Sequence, residues 1–249
     1  SRGLGDVYKR QSIGYLLDEV VNVMHDNKIN FEVVVVNDGS EDNTSTVLDE
    51  LTIRYKELSV ISLRKNYGQT AAMAAGFDYS NGEIVITLDG DLQNDPNDIP
   101  NLISHINEGY DLICGWRYAR KDKLINRRIP SKIANKLIAN VTGLRLHDYG
   151  CSLKAFKKEI LNDIKLYGEL HRFLPVLANI EGAKIKEIKV NHRSRKYGSS
   201  KYGIDRTFRV LMDLLTVWFM TKFLTRPMYG FGFVGIISIL VSLGTVSYT

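Results

Sequence analysis

The sequence predicts an α/β fold in which a mostly parallel sheet is flanked by helices. Two apolar runs, Phe31 to Asp38 and Glu83 to Asp91, each end abruptly in carboxylates. Uninterrupted apolar runs of this length are typical of strands that are covered on both faces, as in parallel sheets. Segments with helical character separate the predicted strands, and this alternation indicates a doubly wound sheet.

The chain opens on Ser1 to Gln11, which shows neither helical nor strand periodicity. We interpret residues 1–11 as a foreign or truncated end, followed by a helical pattern from Ile13 to Met24. The predicted organisation is then a catalytic domain over residues 12–203, an amphipathic juxtamembrane helix over 204–226 and a transmembrane helix, itself truncated, over 227–249.

The other elements follow from turn residues and periodicity. After the first strand, a turn beginning at Gly39 caps a helix that runs to about Tyr55. The remaining predictions, in chain order, are a strand at 60–63, a helix at 69–77, the acidic strand, a helix at 97–108, a strand at 111–116, helices near 131–141, 158–164 and 171–181, and an edge strand at 183–190.

The two carboxylates that end the second apolar run form the strongest candidate site. Asp89 and Asp91 stand two residues apart, so both side chains project to the same side of an extended chain, and Gly90 lets the backbone approach a ligand. Ligands bind beyond the carboxyl ends of strands in such sheets. Hard oxygen ligands at this spacing suit Mg²⁺ or Mn²⁺. Taken alone, two acids after a strand are more often a solvated turn.

Charge is distributed very unevenly along the chain. Residues 1–113 hold 8 Lys and Arg against 19 Asp and Glu, whereas residues 114–249 hold 25 against 9. The acidic half could therefore hold a cation, and the basic half could hold phosphates or lie on an anionic membrane surface. No nucleic acid is expected among the partners. Two solvated, highly charged surfaces are the alternative.

The two cysteines, Cys114 and Cys151, lack metal-ligand spacing and are too few for a disulfide framework. A reducing compartment is therefore expected, with both thiols buried as small apolar groups.

The carboxyl-terminal region predicts contact with a membrane. Met228 to Tyr248 contains 21 residues without a charge, long enough to cross about 30 Å of hydrocarbon. Its glycines suit helix packing in lipid and leave room for a homo-oligomer. Lys222 and Arg226 precede it, so the positive-inside rule places the preceding domain in the cytoplasm. The stretch Ile204 to Leu224 gathers apolar residues on one face, as in an interface helix. The alternative for Met228 to Tyr248 is a buried core helix. The alternative for Ile204 to Leu224 is a helix that packs on the domain.

Six motifs together resemble family 2 glycosyltransferases of the GT-A fold, and within them the polyprenyl-phosphate glycosyltransferases, bacterial members included. The six span about residues 31–226, in the family's order. They are Val36-Asn-Asp-Gly-Ser-x-Asp-x-Thr44, Arg64-Lys-Asn-Tyr-Gly-Gln-Thr70, Leu88-Asp-Gly-Asp-Leu-Gln-Asn-Asp-Pro96, Gly115-Trp-Arg117, Asp148-Tyr-Gly-Cys151 and His192-x-x-Arg-x-x-Gly-Ser-Ser-Lys201.

The resemblance implies roles for individual residues around the donor. Asp38 would contact the base or ribose of a nucleotide-sugar, and Gln69 belongs to the same donor site. A metal ion that bridges the donor diphosphate would be held by Asp89, Asp91 and Gln93.

The resemblance also implies residues for the phosphate groups and for the reaction. Arg193 and Lys201 would close over the donor phosphates. The phosphate of the acceptor lipid would be bound by Arg117, Arg127 and Ser131, and Asp148 would be the base or the residue that orients the acceptor. A solvated helix start is the alternative for Arg127.

The expected reaction is a single in-line transfer of sugar, with inversion, from a nucleotide-sugar to polyprenyl phosphate at the cytoplasmic membrane face. A phosphate monoester, with a second pKa near 6, is already nucleophilic near pH 7, so a strong base is not required. The string Asp-Leu-Gln-Asn-Asp-Pro looks more like bacterial members, which favours undecaprenyl phosphate and a UDP-sugar; transfer of mannose from GDP-mannose is the alternative.

Members of the family normally open with a strand and a Pro-x-Tyr-Asn-Glu segment, and Ser1 to Gln11 occupies that place here. The resemblance thus implies that a central strand is missing. A processive polysaccharide synthase would carry Gln-x-x-Arg-Trp, which the sequence lacks, and a haloacid-dehalogenase phosphatase would want Thr or Val in place of Gln93. A membrane-anchored module that binds a nucleotide-sugar without turnover is the non-enzymatic rival.

Overall fold

The computed structural model describes residues 2–40, 43–118, 138–140, 142–194, 205–223 and 227–248. Two sheets form its centre. Strands β1 (Val33–Asn37) and β2 (Leu58–Ser62) pair in parallel. A second sheet has the order β3-β5-β4-β6, in which β3 is Ile84–Thr87, β4 is Leu112–Trp116, β5 is Lys154–Lys157 and β6 is Ile185–Lys189.

Strand β5 makes the second sheet mixed. It runs antiparallel to both β3 and β4, whereas β4 and β6 are parallel. This strand is not among the predicted elements, because Lys154–Lys157 is short and carries a lysine at each end. The α/β class with sheets flanked by helices is confirmed, and the pairs β1–β2 and β4–β6 are parallel as predicted.

Helices surround both sheets, and 3₁₀ turns precede two of them at Pro96–Asp98 and Leu170–Phe173. The helices within the described ranges are α1 (Arg2–Asp26), α2 (Thr44–Arg54), α3 (Gln69–Tyr79), α4 (Ile99–Asn107), α5 (Lys158–Asp163), α6 (Leu174–Ile180), α7 (Asp205–Phe223) and α8 (Pro227–Tyr248).

Two boundaries differ from the sequence prediction. Helix α1 begins at Arg2, so residues 2–11 are helical although their sequence shows no helical periodicity; their interpretation as a foreign or truncated end remains a prediction. Strand β6 begins at Ile185 and not at Ala183, because Gly182 takes a positive φ of 84° and Ala183 still donates to the carbonyl of Ala178 at the end of α6. Most of the helix predicted near 131–141 lies outside the described residues.

The core lies on both faces of the second sheet. On one face Leu112 and Phe156 pack with Leu174 of α6, and on the other Ile113 and Ala155 pack with Leu102 of α4. All of these side chains are fully buried. This two-sided burial explains why β4 reads as a continuous apolar run in the sequence.

Both thiols are buried and free, as predicted. Burial raises the pKa of Cys114 to about 12 and also raises the pKa of Cys151, so both remain neutral. They act as small packing groups in the two core clusters.

Helices α7 and α8 differ in how they contact the domain. Leu214 and Val217 of α7 are buried against Phe173 and Val176, so one face of this helix packs on the domain, while Trp218 remains exposed. The window 227–246 of α8 has a mean hydropathy of 1.9 and none of it is buried. By length and composition, α8 can cross a membrane.

Candidate active site

The loop after β3, residues 88–95, carries the predicted metal ligands to one edge of the sheet, and we call it the metal loop. Thr87 ends the strand, and its hydroxyl donates to the carbonyl of Ser152 at 2.6 Å. Ser12 of α1 donates to the carbonyl of Gly90 at 3.0 Å from the other side. The backbone between Asp89 and Asp91 is therefore held by two separate parts of the chain.

The same loop turns sharply at Leu92, which has a φ of 62° although it is not a glycine. The Leu92 side chain is buried against α1 and α4, and this packing holds the unfavourable backbone in place. The turn lets the N–H of Gln93 donate to Asp91 at 3.1 Å, and Asn94 then donates to the hydroxyl of Ser152 at 2.7 Å. Such strain is common where a loop positions functional groups.

The electrostatics of this loop suit a cation. Burial and the neighbouring charge of Asp91 raise the pKa of Asp89, although Ser152 and Lys154 act in the opposite direction. Two carboxylates placed together in this way are costly until a positive charge compensates them. The oxygen donors of Asp89, Asp91 and Gln93 match the ligand preference of Mg²⁺ and Mn²⁺. No group of three or more His, Cys, Asp or Glu suited to a metal occurs among the described residues.

Arg117 and Asp148 form a bidentate ion pair that lines the same cavity. The Nε of Arg117 lies 2.6 Å from Oδ2 of Asp148 and its Nη2 lies 2.8 Å from Oδ1. Burial alone would raise the pKa of Asp148, but hydrogen bonds and charge from Arg117 outweigh it and lower the pKa. The pKa of Arg117 is raised, because its pairing with Asp148 outweighs the effect of burial. Asp148 is therefore ionised and engaged, which makes it a weak base.

Glu187 of β6 holds the backbone that presents Asp148. One carboxylate oxygen accepts from the N–H of Asp148 at 2.8 Å and from that of His147 at 2.9 Å, and the other lies 2.7 Å from Nδ1 of His147. The Glu187 side chain is only 9% exposed. The ring of His147 also stacks on Trp116, with 4.1 Å between centroids. Four contacts thus fix the backbone before Asp148.

Arg193 follows β6 and connects distant segments. It pairs with Glu19 of α1 at 2.6 Å and with Asp95 of the metal loop at 2.8 Å. Its backbone N–H donates to the carbonyl of Gln93 at 2.9 Å. Arg193, whose guanidinium is predicted to close over the donor phosphates, is thus engaged with one carboxylate of α1 and one of the metal loop.

Asp38 and Gln69 lie at the carboxyl end of β1. The carboxylate of Asp38 accepts from the N–H groups of Tyr67 and Gly68 at 2.7 and 2.9 Å. Gly39 has a φ of 63°, and a Cβ there would lie 2.3 Å from the backbone of Lys65. The loop after β1 and the loop after β2 therefore lie in close contact. Together they present Gln69, the first residue of α3, to the cavity.

A single cavity of about 1350 Å³ gathers most of the predicted site residues. The predicted residues that line it are Gln69, Asp89, Asp91, Gln93, Arg117, Asp148 and Arg193. Arg127, Ser131 and Lys201 lie outside the described residues.

Sequence reasoning missed several polar residues at this site. Lys154, 5% exposed, lines the cavity; its charge opposes the rise in the pKa of Asp89 and contributes to the lowered pKa of Asp148. His171, also buried, lies 2.7 Å from the hydroxyl of Thr70 and lines the cavity. The signal for Lys154 was a charge inside the apolar run Leu153 to Phe156, whereas nothing local marks Glu187, because its partners lie 39 and 40 residues away.

Comparison with known proteins places this site in a family. The sequence profile described as "Glycosyl transferase family 2" matches residues 7–165. The dodecaprenyl-phosphate galacturonate synthase of Rhizobium johnstonii is 45% identical over 232 residues, which cover 92% of this chain and 69% of the relative. The undecaprenyl-phosphate 4-deoxy-4-formamido-L-arabinose transferase of Proteus mirabilis is 37% identical over 209 residues, 84% of this chain and 64% of the relative.

The chain spans 69% and 64% of the length of these two curated relatives. Among solved structures, mannosyl-3-phosphoglycerate synthase from Rubrobacter xylanophilus superposes with a TM-score of 0.65 at 14% identity, over 84% of this chain and 69% of that chain. Glucosyl-3-phosphoglycerate synthase from Mycobacterium tuberculosis, solved with Mn²⁺, UDP and phosphoglyceric acid, gives 0.64 at 16% identity, over 86% and 74%.

The structural matches support the predicted GT-A fold, and the sequence matches support the predicted family. With its profile matched over most of the α/β domain and a relative at 45% identity, the chain belongs to glycosyl transferase family 2.

Proposed function

We propose that the chain carries out the transfer of one sugar from a nucleotide-sugar to polyprenyl phosphate at a membrane surface. The observation that carries this proposal is the arrangement of one cavity, with the carboxylate loop of Asp89 and Asp91 and the Arg117–Asp148 pair lining it together. A cation with a donor diphosphate suits the first group, and the phosphate of an acceptor suits the second. The names of both sequence relatives include a polyprenyl phosphate, which agrees with an acceptor of this kind.

A divalent cation, Mg²⁺ or Mn²⁺, would be held by Asp89, Asp91 and Gln93. When bound, it would supply positive charge to the departing nucleoside diphosphate. Lys154 adds a fixed positive charge close to the same carboxylates. Asp91 also accepts the N–H of Gln93, so the loop is arranged before any ligand arrives.

Arg117 would bind the acceptor phosphate, because its planar guanidinium can take two phosphate oxygens. Asp148 would orient this guanidinium through the two bonds it already makes. A phosphate monoester needs no strong base near pH 7, which agrees with a carboxylate whose pKa is lowered. We therefore assign Asp148 as an orienting residue. The expected stereochemical outcome is inversion by in-line displacement at the anomeric carbon.

The membrane placement rests on the carboxyl-terminal helices. An apolar α8 after Lys222, with exposed apolar residues on α7, suits a domain that lies at the surface of the bilayer. The positive charge before α8 favours a cytoplasmic position of the domain. Self-association through the glycines of α8 is compatible with the same placement.

We favour a UDP-sugar as donor and undecaprenyl phosphate as acceptor. The alternative, transfer of mannose from GDP-mannose to dolichol or another polyprenyl phosphate, uses the same phosphate and metal groups. The choice of base would depend on the residues around Asp38, and the choice of sugar on the walls of the cavity.

The experiment is a transfer assay with labelled sugars. Membranes carrying the chain are given a panel of UDP- and GDP-sugars with undecaprenyl phosphate or dolichol phosphate, with Mg²⁺, Mn²⁺ or EDTA. Asp91→Asn is the control variant, and Asp78→Asn, which changes an exposed carboxylate of α3, is its matched substitution. We expect labelled lipid that requires the metal and disappears with Asp91→Asn but not with Asp78→Asn.

A lipid product that is unaffected by EDTA would contradict the assignment of the metal. If nucleotide-sugar binds but no donor gives a lipid product, the chain acts as the non-catalytic membrane-anchored module, and the proposed reaction is wrong for it. Equilibrium binding of the same labelled donors separates these two results.

A further inference from the structure

Lys154 lies on β5, the strand between β3 and β4, and so between the two groups of charged residues that form the site. Its partner on one side is Thr87 of β3, two residues before Asp89. Its partner on the other side is Cys114 of β4, three residues before Arg117. Residues directly opposite each other in an antiparallel pair project from the same face of the sheet. The sheet thus places one lysine between the strand that leads to the metal loop and the strand that leads to Arg117.

The ammonium of Lys154 is buried. The residue is only 5% exposed, and it lines the cavity together with Asp89 and Asp148. Its Nζ donates to the carbonyl of Cys151. A hydrogen bond to one carbonyl needs no charge, and a buried charge is costly unless opposite charge lies nearby. The two carboxylates supply that opposite charge, since Lys154 favours the ionised form of each.

The charges around this part of the cavity do not balance by themselves. Three carboxylates and two cationic side chains line it, namely Asp89, Asp91, Asp148, Arg117 and Lys154. A divalent cation bound at the metal loop would reverse the net sign of this group from negative to positive. Charges in a cavity that excludes water act on one another over several ångströms, and a cleft of one sign concentrates ligands of the other.

We propose that Lys154 is a positioning residue that couples the metal to the phosphates. Its fixed positive charge weakens the hold of Asp89 and Asp91 on a divalent cation alone, and it favours the same cation when a diphosphate accompanies it. The cation then enters with the donor and leaves with the nucleoside diphosphate. This inference rests on the proposed function, because it takes the metal loop as the site of the cation and the donor diphosphate.

Two substitutions of Lys154 separate its charge from its packing. Lys154→Gln removes the charge but keeps a donor for the carbonyl of Cys151. Lys154→Arg keeps the charge and changes the shape. Lys165→Gln is the matched control, because Lys165 is exposed and does not line the cavity.

The test measures two affinities of the full chain in detergent. Electron paramagnetic resonance of free Mn²⁺ gives the Kd for Mn²⁺ alone. Calorimetric titration with UDP and with GDP, each at saturating Mn²⁺, gives the Kd for the nucleotide. Circular dichroism confirms that each variant is folded.

We expect Lys154→Gln to move the two affinities in opposite directions. Mn²⁺ alone should bind roughly fivefold or more tightly, because a repelling charge is gone, and the nucleotide should bind more weakly by a similar factor. Lys154→Arg and Lys165→Gln should leave both affinities close to those of the unaltered chain. A residue that merely supported the loop would weaken both affinities when it was replaced, so the opposite signs distinguish coupling from support.

Four results would overturn the inference. Weaker or unchanged binding of Mn²⁺ alone to Lys154→Gln would show that the ammonium does not oppose the cation, and unchanged or tighter nucleotide binding would show that it does not favour the diphosphate. Equal effects of Lys154→Gln and Lys154→Arg would show that shape matters and charge does not. Failure of Lys154→Gln to fold would make Lys154 a structural residue.

The same measurements separate this inference from the proposed function. If the unaltered chain binds neither nucleotide in the presence of Mn²⁺, the proposed donor is wrong and the inference falls with it. If a nucleotide binds with Mn²⁺ but Lys154→Gln shifts both affinities in the same direction, the inference is wrong while the proposed function stands.

Discussion

At the scale of single residues, the site consists of charged groups that are mostly engaged with one another. The roles that the family resemblance implied for Arg117 and Arg193 are both for phosphate, yet each guanidinium is paired with carboxylates in the structure. A phosphate that binds Arg117 must therefore either share the guanidinium with Asp148 or displace the Asp148 carboxylate from it. This arrangement predicts unequal effects of the two carboxylates assigned to catalysis.

Asp91→Asn should lower kcat far more than Asp148→Asn. We expect a loss of roughly 10²–10³-fold for Asp91→Asn, the size seen when one preorganised electrostatic group is removed, and about tenfold or less for Asp148→Asn, because the amide oxygen still accepts from Arg117. Steady-state transfer kinetics, normalised to folded protein, measure this. Normalisation is needed because Asp148→Asn leaves the charge of a buried Arg117 unpaired, which destabilises the fold. The reverse order would contradict the assignment of Asp148 as an orienting residue.

Glu187 is predicted to be a positioning residue that acts through Asp148. Glu187→Gln keeps the shape of the side chain but weakens the bonds to the N–H groups of His147 and Asp148. We expect the KM for polyprenyl phosphate to rise roughly tenfold, because a hydrogen bond to a charged group contributes about 1.5–3 kcal/mol, with little change in kcat.

The matched control is Glu181→Gln, which makes the same change at an exposed position after α6. A fall in kcat with an unchanged KM for the acceptor would show that Glu187 acts on the chemical step and not on the acceptor site. Equal effects of the two substitutions would remove the special role of Glu187.

At the scale of elements, the metal loop depends on contacts from outside its own strand. Asp95 begins the 3₁₀ turn by accepting from Asn97 at 3.1 Å, and also accepts from Asn191 at 2.8 Å and from Arg193. These bonds and the charge of Arg193 lower the pKa of Asp95 although burial opposes them. The end of β6 and the start of α4 thus hold the loop from one side.

Arg193→Lys tests whether this residue is structural or binds the donor. A lysine keeps the charge but cannot hold Glu19 and Asp95 together, so we expect the free energy of unfolding to fall by about 1–3 kcal/mol. Urea denaturation measures the change. Arg54→Lys is the control, since its pair with Asp18 is exposed and should contribute within about 1 kcal/mol. A rise in the KM for the nucleotide-sugar without loss of stability would instead support contact with donor phosphates.

At the scale of the whole molecule, the carboxylates give stability a defined dependence on pH. Hydrogen bonds and neighbouring positive charge outweigh burial and lower the pKa of Asp95, Asp111 and Asp148. For such groups, stability is present above the unfolded pKa of about 3.9 and is lost as pH falls through the lower folded pKa. Asp89 has the opposite sign, because burial raises its pKa and ionisation then costs stability as pH rises.

Thermal unfolding of the metal-free protein should therefore show two features. The melting temperature should fall steeply below about pH 4, and Asp89→Asn should raise it at neutral and higher pH, because burial penalises the ionised form of this carboxylate. Adding Mn²⁺ should stabilise the wild type and have little effect on Asp89→Asn. If Asp89→Asn lowers the melting temperature near pH 7 in EDTA, the ionised carboxylate is already compensated within the chain.

Local periodicity, short motifs and composition encode the α/β class, the strands that end in acids, the family and the apolar helix at 227–246, so these could be predicted before the structure. The roles predicted for individual site residues, inside and outside the described ranges, remain predictions. Tertiary structure decided the rest. The antiparallel β5 was not recognisable, because two of its four residues are lysines. The strand obtains its stability from the strands on both sides.

Only tertiary structure decided which charges meet. Asp148 and Arg117 lie 31 positions apart, Glu187 reaches back 39 positions and Arg193 reaches back 174, so no local pattern could reveal these pairs. Hydrogen-bond partners across a sheet and ion pairs between loops are set by the way distant segments pack, and this packing is where the sequence pattern stops being informative.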